Sequence, residues 1–470
     1  MKHDTTYALI GHRRSNDVLA WRAQEPVLAH EFLTEVHALA RILPDARYML
    51  NGCADRYRFA VAMSAALVRG QVSVLPHNHV ASTLSHLASE FKGIYCLTDS
   101  EDVYPELIRV RYPIQPSSFA STPQPDDEAI ESLREFEASL IAADQVAACL
   151  FTSGSTGMPT AHFRTWGQIV LSARLEAQRL GAVMPGRPAI LGTVPAQHSY
   201  GFESTVHLAL QAGWSFAAER PFFPADILGC LARLPRPRLL VTTPVHLRAM
   251  VGIDQTIDKT NDQTPVAADA VLSATATLPP ELAQAVEALF SAPVYEIYGS
   301  TESGQVASRR TLDGDEWLPF DGVTIGLQDG QAFAEGAYVT GRMNLSDRIG
   351  LRAGGRFVLL GRSVDMVNIG GKRSSISFLE HQLLEIEGVK DGAFLVSDDQ
   401  SRVAGRVMAF VVAPGLTAER ITAALRGRIE AVFLPRPLLI VDALPRDGNG
   451  KLPRQRLEAL ARELTAARSE

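Results

Sequence analysis

Cysteine is scarce in this chain: four in 470 residues, at Cys53, Cys96, Cys149 and Cys230, widely separated and without a CxxC pair. That spacing argues against a disulfide framework and against a cysteine zinc site. Any run of about 18 apolar residues is missing too, so no membrane insertion is expected. The opening MKHDTTYALIGHRR has charges and no apolar stretch long enough for a secretory signal, and a reducing cytoplasm is the expected compartment. Charge of one sign is not in large excess. Lys+Arg number 45 against 52 Asp+Glu, a net −7 spread too thinly to attract nucleic acid or an anionic membrane. Internal repeats and low-complexity tracts are absent, and the Walker pattern GxxxxGK[ST] fits neither the glycine-rich loop after residue 151 nor Gly370-Gly371-Lys372.

What is present is ordinary globular material. Hydrophobic residues make up 46% and charged residues 21%, enough apolar surface to offset the entropy of ordering. The length suggests about three domains or subdomains. Over 45–75, RYMLNG reads as a strand, DRYRFAVAMSAALVRG as a helix stopped at Gly70, and QVSVLP as a second strand. The same grammar recurs at GIYCLTD, PAILGTVP, PRLLVTTP and APVYEIYG, which predicts a doubly wound α/β body. Residues 121–136 read as a surface linker entering a helix, and 254–266 as an exposed polar loop. From about 311 the chain becomes glycine-dense with short alternating strands, a small antiparallel β unit. After GRSVD a compact α+β stretch follows. The expected division is a large domain over 1–361 and a small one over 362–470.

Four segments can carry chemistry. The first leaves the apolar run QVAACLF: Thr152, Ser153, Gly154, Ser155, Thr156 and Gly157, followed by Met158-Pro159-Thr160. Gly154 and Gly157 let backbone approach a ligand, and amides with hydroxyls make a phosphate cradle. A flexible Gly/Ser turn has the same composition. The second is Tyr298-Gly299-Ser300-Thr301-Glu302, where a carboxylate can hold Mg²⁺ with phosphate oxygens as co-ligands; a solvated turn glutamate reads the same way. The third is Asp347 with Arg362 at the end of GRFVLLGR, suited to ribose hydroxyls or simply to a strand-end ion pair. The fourth, LPRDGNGK, presents Lys451 on a turn, as a phosphate-binding charge or an ordinary surface lysine.

Taken in order, TSGSTGMP, YGSTESG, SDRIGL, GRSVDMVNIGGK and LPRDGNGK resemble the adenylate-forming superfamily of acyl- and aryl-CoA synthetases, peptide-synthetase adenylation domains and luciferases. The resemblance runs from about residue 45 to residue 454. It implies ATP and Mg²⁺ as cofactors, with residues 152–157 on the β- and γ-phosphates. Tyr298 then stacks on adenine beside Gly299 and Ser300. Thr301 contacts the α-phosphate, Glu302 holds the metal, and Ser273, Ala274, Thr275 and Ala276 line the adenine and acyl chain. Asp347 and Arg362 bind ribose, and Lys451 bridges carboxylate and α-phosphate. His198 stands at the mouth of an acyl pocket drawn from His198, Ser199, Tyr200, Gly201, Phe202, His246 and Ala276. Gly370 and Gly371 face a thiol channel after rotation of the small domain.

Three features depart from the family pattern. Thr160 stands where a lysine usually follows the proline, Val364 where the hinge is usually polar, and the chain is shorter than typical members. The implied reaction joins a small carboxylic acid to ATP as an acyl-adenylate, then to CoA or the phosphopantetheine of an acyl carrier protein. NGCADRYRFAVAMSAALVRGQVSVLP is also similar to AMP-ligases of aryl-polyene (xanthomonadin-type) pigment pathways, which implies a hydroxybenzoate-like acid. A medium-chain or β-hydroxy fatty acid is the alternative substrate, and a degenerate nucleotide-binding module the alternative class.

Overall fold

The computed structural model describes residues 5–76, 79, 81–101, 107–113, 140–153, 159–254, 266–362, 366–369, 372–396, 407–429, 431–447 and 451–466. The chain separates into two compact units. The first comprises Met1–Gly314, Pro319–Val323 and Glu335–Gly341; the second comprises Asp315–Leu318, Thr324–Ala334 and Arg342–Glu470.

Two sheets organise the first unit. One runs in the order Pro159–Thr165, Val146–Ser153, Val72–Leu75, Tyr48–Asn51, Tyr95–Thr98, Ile108–Arg111, all parallel except the first strand. The other, followed from Gly304–Arg310, runs Val294–Ser300, Ala270–Ser273, Arg238–Thr242, Ala189–Gly192, Ser215–Ala217, Val18–Arg22, Glu25–Leu28. Its centre is parallel and an antiparallel strand closes each side. Strands such as YMLN, VSVL, YCLT and AILG are nearly continuous apolar runs because parallel strands are covered on both faces.

The strand–helix–strand reading of 45–75 holds, as Tyr48–Asn51, Arg56–Val68 and Val72–Leu75. The helix begins where the Asp55 side chain accepts the Arg58 amide. It is apolar around most of its circumference and buried almost throughout. Its first residue breaks that pattern. The Arg56 guanidinium is fully buried and donates to the carbonyls of Ala217, Glu219, Gly192 and Val194 at 2.8 to 3.1 Å. Four carbonyls substitute for a carboxylate and tie this helix to the ends of two strands of the second sheet.

The main core of the second sheet packs Leu240, Val271 and Val294 against helices Pro224–Arg233, Pro244–Asp254 and Pro280–Phe290. The glycine-dense stretch forms the expected small sheet, with Thr324–Gln328, Gln331–Gly336 and Val339–Asn344 in sequential order and joined by two-residue turns. In the second unit, Asp347–Leu351 pairs antiparallel with Phe357–Arg362. Beyond it lies an α+β body: a sheet of Asp391–Val396, Val407–Val412 and Leu438–Ile440 with helices Ile376–Leu384, Ala418–Arg426 and Arg454–Ala466. Leu379, Phe394, Val411 and Leu425 fill one core of this body, and Phe410, Leu439 and Leu457 another. The expected linker at 121–136, and 255–265 of the expected polar loop, lie outside the described residues. Among the described residues no helix is long and apolar enough to cross a membrane.

Candidate active site

Parallel sheets place ligands at the carboxyl ends of their strands, where connecting loops diverge. Four neighbouring strands of the second sheet deliver the expected residues there. The loop holding His198 follows Ala189–Gly192, the first turn of the helix holding His246 follows Arg238–Thr242, Ser273 ends its own strand, and Val294–Ser300 ends in Tyr298, Gly299 and Ser300. In the first sheet, Thr152 and Ser153 end the strand Val146–Ser153. Gly154, Ser155, Thr156 and Gly157 lie outside the described residues, as do Val364, Gly370 and Gly371.

The turn after Tyr298 is tightly specified. A Cβ on Gly299 would stand 2.2 Å from the Gly304 carbonyl oxygen, so only glycine fits, and Gly304 has φ +72°. Ser300 and Ser303 close the turn on each other: the Ser303 amide donates to Ser300 Oγ at 3.1 Å and the Ser300 amide to Ser303 Oγ at 3.2 Å. Ser303 Oγ also donates to the Gly304 carbonyl at 2.8 Å. Tyr298 is buried, while Thr301 and Glu302 at the tip stay half-exposed. Glu302 Oε1 lies 3.8 Å from His162 Nε2, and burial holds the His162 imidazole below its usual pKa. Among the described residues no three His, Cys, Asp or Glu cluster as a closed metal site. A single half-exposed carboxylate fits Mg²⁺, which keeps water and substrate phosphates as its other ligands.

Beside this turn lies a buried polar network that the sequence reading missed. Glu203 accepts from Ser199 Oγ at 2.9 Å, from the Gln305 amide at 3.2 Å and from Ser172 Oγ at 3.4 Å. Burial pushes its carboxyl pKa up, against the pull of the Arg164 charge and of those donors. The Arg164 guanidinium donates to the Thr301 carbonyl at 2.7 Å. Glu176, fully buried, is pushed up to about 8 by burial. The Gln305 carboxamide lies between it and Ser204, and with its nitrogen toward Glu176 it donates to both carboxylate oxygens at 3.0 and 3.3 Å. The Tyr338 hydroxyl donates to the Gln305 carbonyl. The signal in the sequence was the presence of charges, Glu203 inside the largely apolar YGFESTVHLAL and Arg164 inside the strand PTAHFRT.

The expected acyl-pocket residues are tied into the second sheet and its following helices. Tyr200 donates to the Leu272 carbonyl at 2.9 Å, and Phe202 packs on His207 with ring centroids 4.3 Å apart. Ser199, Tyr200 and Gly201 make a short helical turn that His198 precedes. Nδ1 of His246 is 2.9 Å from Thr243 Oγ1 and 3.4 Å from Thr193 Oγ1, which is itself 2.9 Å from Thr242 Oγ1. Ser273 is the register partner of Thr242. Among the described residues, two buried polar atoms here find no hydrogen-bond partner: His246 Nε2 and Ser273 Oγ. Ala274 is buried, Thr275 and Ala276 are exposed, and Thr275 holds φ +79°, a conformation rare for a β-branched residue. Such strain concentrates at binding sites.

In the second unit the expected ribose pair is brought together: Asp347 and Arg362 are register partners across their two strands. Lys451 is exposed, and it is bonded to Asp447. Its amide donates to Asp447 Oδ1 at 2.9 Å, and the Asp447 amide donates to the Lys451 carbonyl at 2.7 Å.

Comparison with known proteins agrees with this arrangement. Residues 53–327 match the family described as AMP-binding enzyme, and residues 379–451 match the AMP-binding enzyme C-terminal domain. A 4-coumarate–CoA ligase of Rhodobacter capsulatus is 29% identical over 62% of this chain and 70% of its own length. A benzoate–CoA ligase of Thauera aromatica is 24% identical over 69% of this chain and 68% of its own. The crystal structure of an anthranilate CoA ligase with anthranoyl-AMP shares the fold, with TM-score 0.77, 16% identity and 96% of each chain covered. The o-succinylbenzoate CoA synthetase of Bacillus subtilis, in complex with ATP and magnesium, shares it at TM-score 0.75 and 18% identity over 94% of this chain and 97% of that one. By these matches, and by the motifs that end its strands, the chain belongs to the AMP-binding enzyme family, the adenylate-forming superfamily that its sequence resembles.

Proposed function

We propose that the protein is an AMP-forming acid–thiol ligase that activates an aryl carboxylic acid, with a hydroxybenzoate as the leading candidate. The observation that carries this reading is the convergence of Tyr298, Ser273, His246 and the His198 loop on the carboxyl ends of four neighbouring parallel strands. In the first half-reaction a carboxylate oxygen of the acid bonds to the α-phosphorus of ATP. The bond from that phosphorus to the bridging oxygen breaks, and pyrophosphate leaves. The acid is already ionised at neutral pH, so no general base is required. Charge grows on the α-phosphate oxygens, and the Lys451 ammonium supplies a compensating positive charge. Mg²⁺, when bound at Glu302, neutralises phosphate charge. Tyr298 offers its ring to adenine, and Asp347 with Arg362 suits the ribose hydroxyls. In the second half-reaction a thiol attacks the acyl carbon and AMP leaves. CoA is the favoured acceptor, since the named relatives are CoA ligases, and an acyl carrier protein is the competing one.

The substrate reading rests on the two partnerless atoms. His246 Nε2 and Ser273 Oγ are buried without a hydrogen bond, which is costly unless a ligand group completes them. Beyond its carboxylate, an unsubstituted benzoate or an unsubstituted saturated chain offers no group to them; a ring hydroxyl or amine does, and a β-hydroxy chain is the competitor the panel below must separate. The relatives and structures named for coumarate, benzoate and anthranilate fit an aryl acid of this size. The test is pyrophosphate release with a panel of benzoate, its hydroxy and amino derivatives, and medium-chain and β-hydroxy fatty acids, each followed by CoA or a carrier protein. A substituted aryl acid should give the highest kcat/KM, and Ser273→Ala should narrow its advantage over benzoate. A preference for fatty acids overturns the substrate reading. Silence across the whole panel overturns the ligase reading and leaves a nucleotide-binding module.

A further inference from the structure

The buried charges beside the nucleotide turn have no role in the chemistry above, yet they touch both the acid-pocket turn and the nucleotide turn. Arg164 belongs to the strand Pro159–Thr165, which returns from the phosphate loop. Glu203 belongs to the helical segment Phe202–His207, which continues from the acid-pocket turn. Each is only 7% exposed. Between them sits Gly304: a Cβ placed there would stand 3.5 Å from Arg164 Nη2 and 3.5 Å from Glu203 Oε2. Arg164 grips the turn on one side through the Thr301 carbonyl, and Glu203 grips it on the other through the Gln305 amide. With its second oxygen Glu203 takes the Ser199 hydroxyl, the first residue of the acid-pocket turn.

We propose that Glu203 and Arg164 are positioning residues that couple the acid loop at 198–202 to the nucleotide turn at 298–304, so that the carboxylate and ATP bind cooperatively. The proposal rests on the assignment of those two loops to acid and nucleotide. The physical reason is rigidity. A charged group in a low-dielectric setting holds its partners in one geometry, because letting any of them go leaves charge buried and unpaired. When the acid fixes the Ser199 hydroxyl, Glu203 is fixed in turn, and with it the Gln305 amide and the end of the turn that carries Thr301 and Glu302. One carboxylate bridging two loops gives the coupling a single covalent step to pass through.

The test is a binding cycle on the full-length protein. The affinity for a non-hydrolysable ATP analogue with Mg²⁺ is measured with and without the best acid from the panel above. The wild type should bind the analogue at least about fivefold more tightly with the acid present, the lower end of ordinary coupling between sites. Glu203→Gln keeps the shape and loses the charge, and it should bring that ratio close to one. Arg164→Lys keeps the charge and loses the planar donor to Thr301, so it should reduce the ratio and serves if Glu203→Gln does not fold. Glu176→Gln changes an equally buried carboxylate that bonds neither the acid loop nor the turn backbone, and it should keep the wild-type ratio. A lesion that only loosened the fold would weaken both ligands and lower the melting temperature while preserving the ratio, and that result overturns the proposal. A wild type without coupling overturns it as well. If no acid on the panel supports pyrophosphate release, the loop assignment fails first, which is a distinguishable outcome.

Discussion

The turn that carries Glu302 and the turn that carries Lys451 are built in opposite ways. The first is held from outside. Ser300 and Ser303 bond each other, but Arg164, Glu203 and Tyr338 reach it from distant segments, Gly299 leaves no room for a side chain, and Gly304 holds φ +72°. In the second, Asp447 and Lys451, near neighbours in sequence, bond each other reciprocally, and the lysine is exposed. The contrast suits what each is asked to do. A turn that shapes a nucleotide site benefits from having one conformation, since preorganised groups need no rearrangement when charge develops. A lysine proposed to act in one half-reaction and not in the other benefits from an exposed, locally bonded position.

That contrast can be broken from either side. The largest expected effect is on chemistry alone. Lys451→Ala should slow pyrophosphate release about 10²–10³-fold, while thioester formation from supplied acyl-adenylate and the melting temperature stay near wild type. Equal loss in both half-reactions would remove the assigned role. Gly299→Ala comes next and acts through structure: its Cβ must displace a carbonyl oxygen, so a loss of about 2–4 kcal/mol in urea unfolding should accompany the loss of ATP binding. An alanine variant of native stability would show that the turn is not rigid.

The pH dependence of stability is the third expectation, of about 1.4 kcal/mol for each pH unit per uncompensated proton. Burial lowers the His12 pKa to about 4 and the His207 pKa to about 3. The folded state keeps both neutral, so their contribution is complete above about 6.5 and shrinks as pH falls through that value. Glu176 runs the other way: raised to about 8, it stays protonated when folded while the unfolded carboxyl ionises, so stability falls as pH climbs from about 4.5 to 8. Two protons against one place the maximum near pH 6.5. Urea midpoints at pH 5, 6.5 and 8 should show this maximum. Glu176→Gln should flatten the alkaline limb, and an unchanged limb would assign it elsewhere. The smallest effects are a matched pair. Ser303→Ala should cost about 1–2 kcal/mol of stability together with ATP affinity, whereas Asp447→Ala should cost less than about 0.5 kcal/mol and lower kcat a few-fold. If both variants behaved alike, the comparison between the two turns would be lost.

Much of this was legible because it is local. Gly70 after an apolar helical run, the strand repeats YMLN, VSVL and YCLT, and the order of the motifs need only neighbours in sequence to be read. Asp347 and Arg362 were legible as a pair because two short strands joined by one turn must bring their ends together, and their register does so. The missing lysine at Thr160 was legible as an absence. What stands near that strand was not: His162 reaches within 3.8 Å of Glu302, a residue 140 positions away. Arg56 read as the first residue of a helix, and nothing near it in the chain announced four carbonyl partners more than 130 residues distant.

From the amino acids alone came the strand and helix grammar, which follows from periodicity, turn chemistry and residue type acting over a few residues, and the family and reaction class, which followed from the ordered motifs and their resemblance. Packing alone decided that Glu203 and Arg164 flank one glycine, that among the described residues Ser273 Oγ and His246 Nε2 find no partner, and that the turn after Tyr298 is gripped from distant segments. The reason is physical: a charge or hydroxyl acquires its meaning from burial and from the atoms that face it, and both are set by segments that meet only when the sheets assemble.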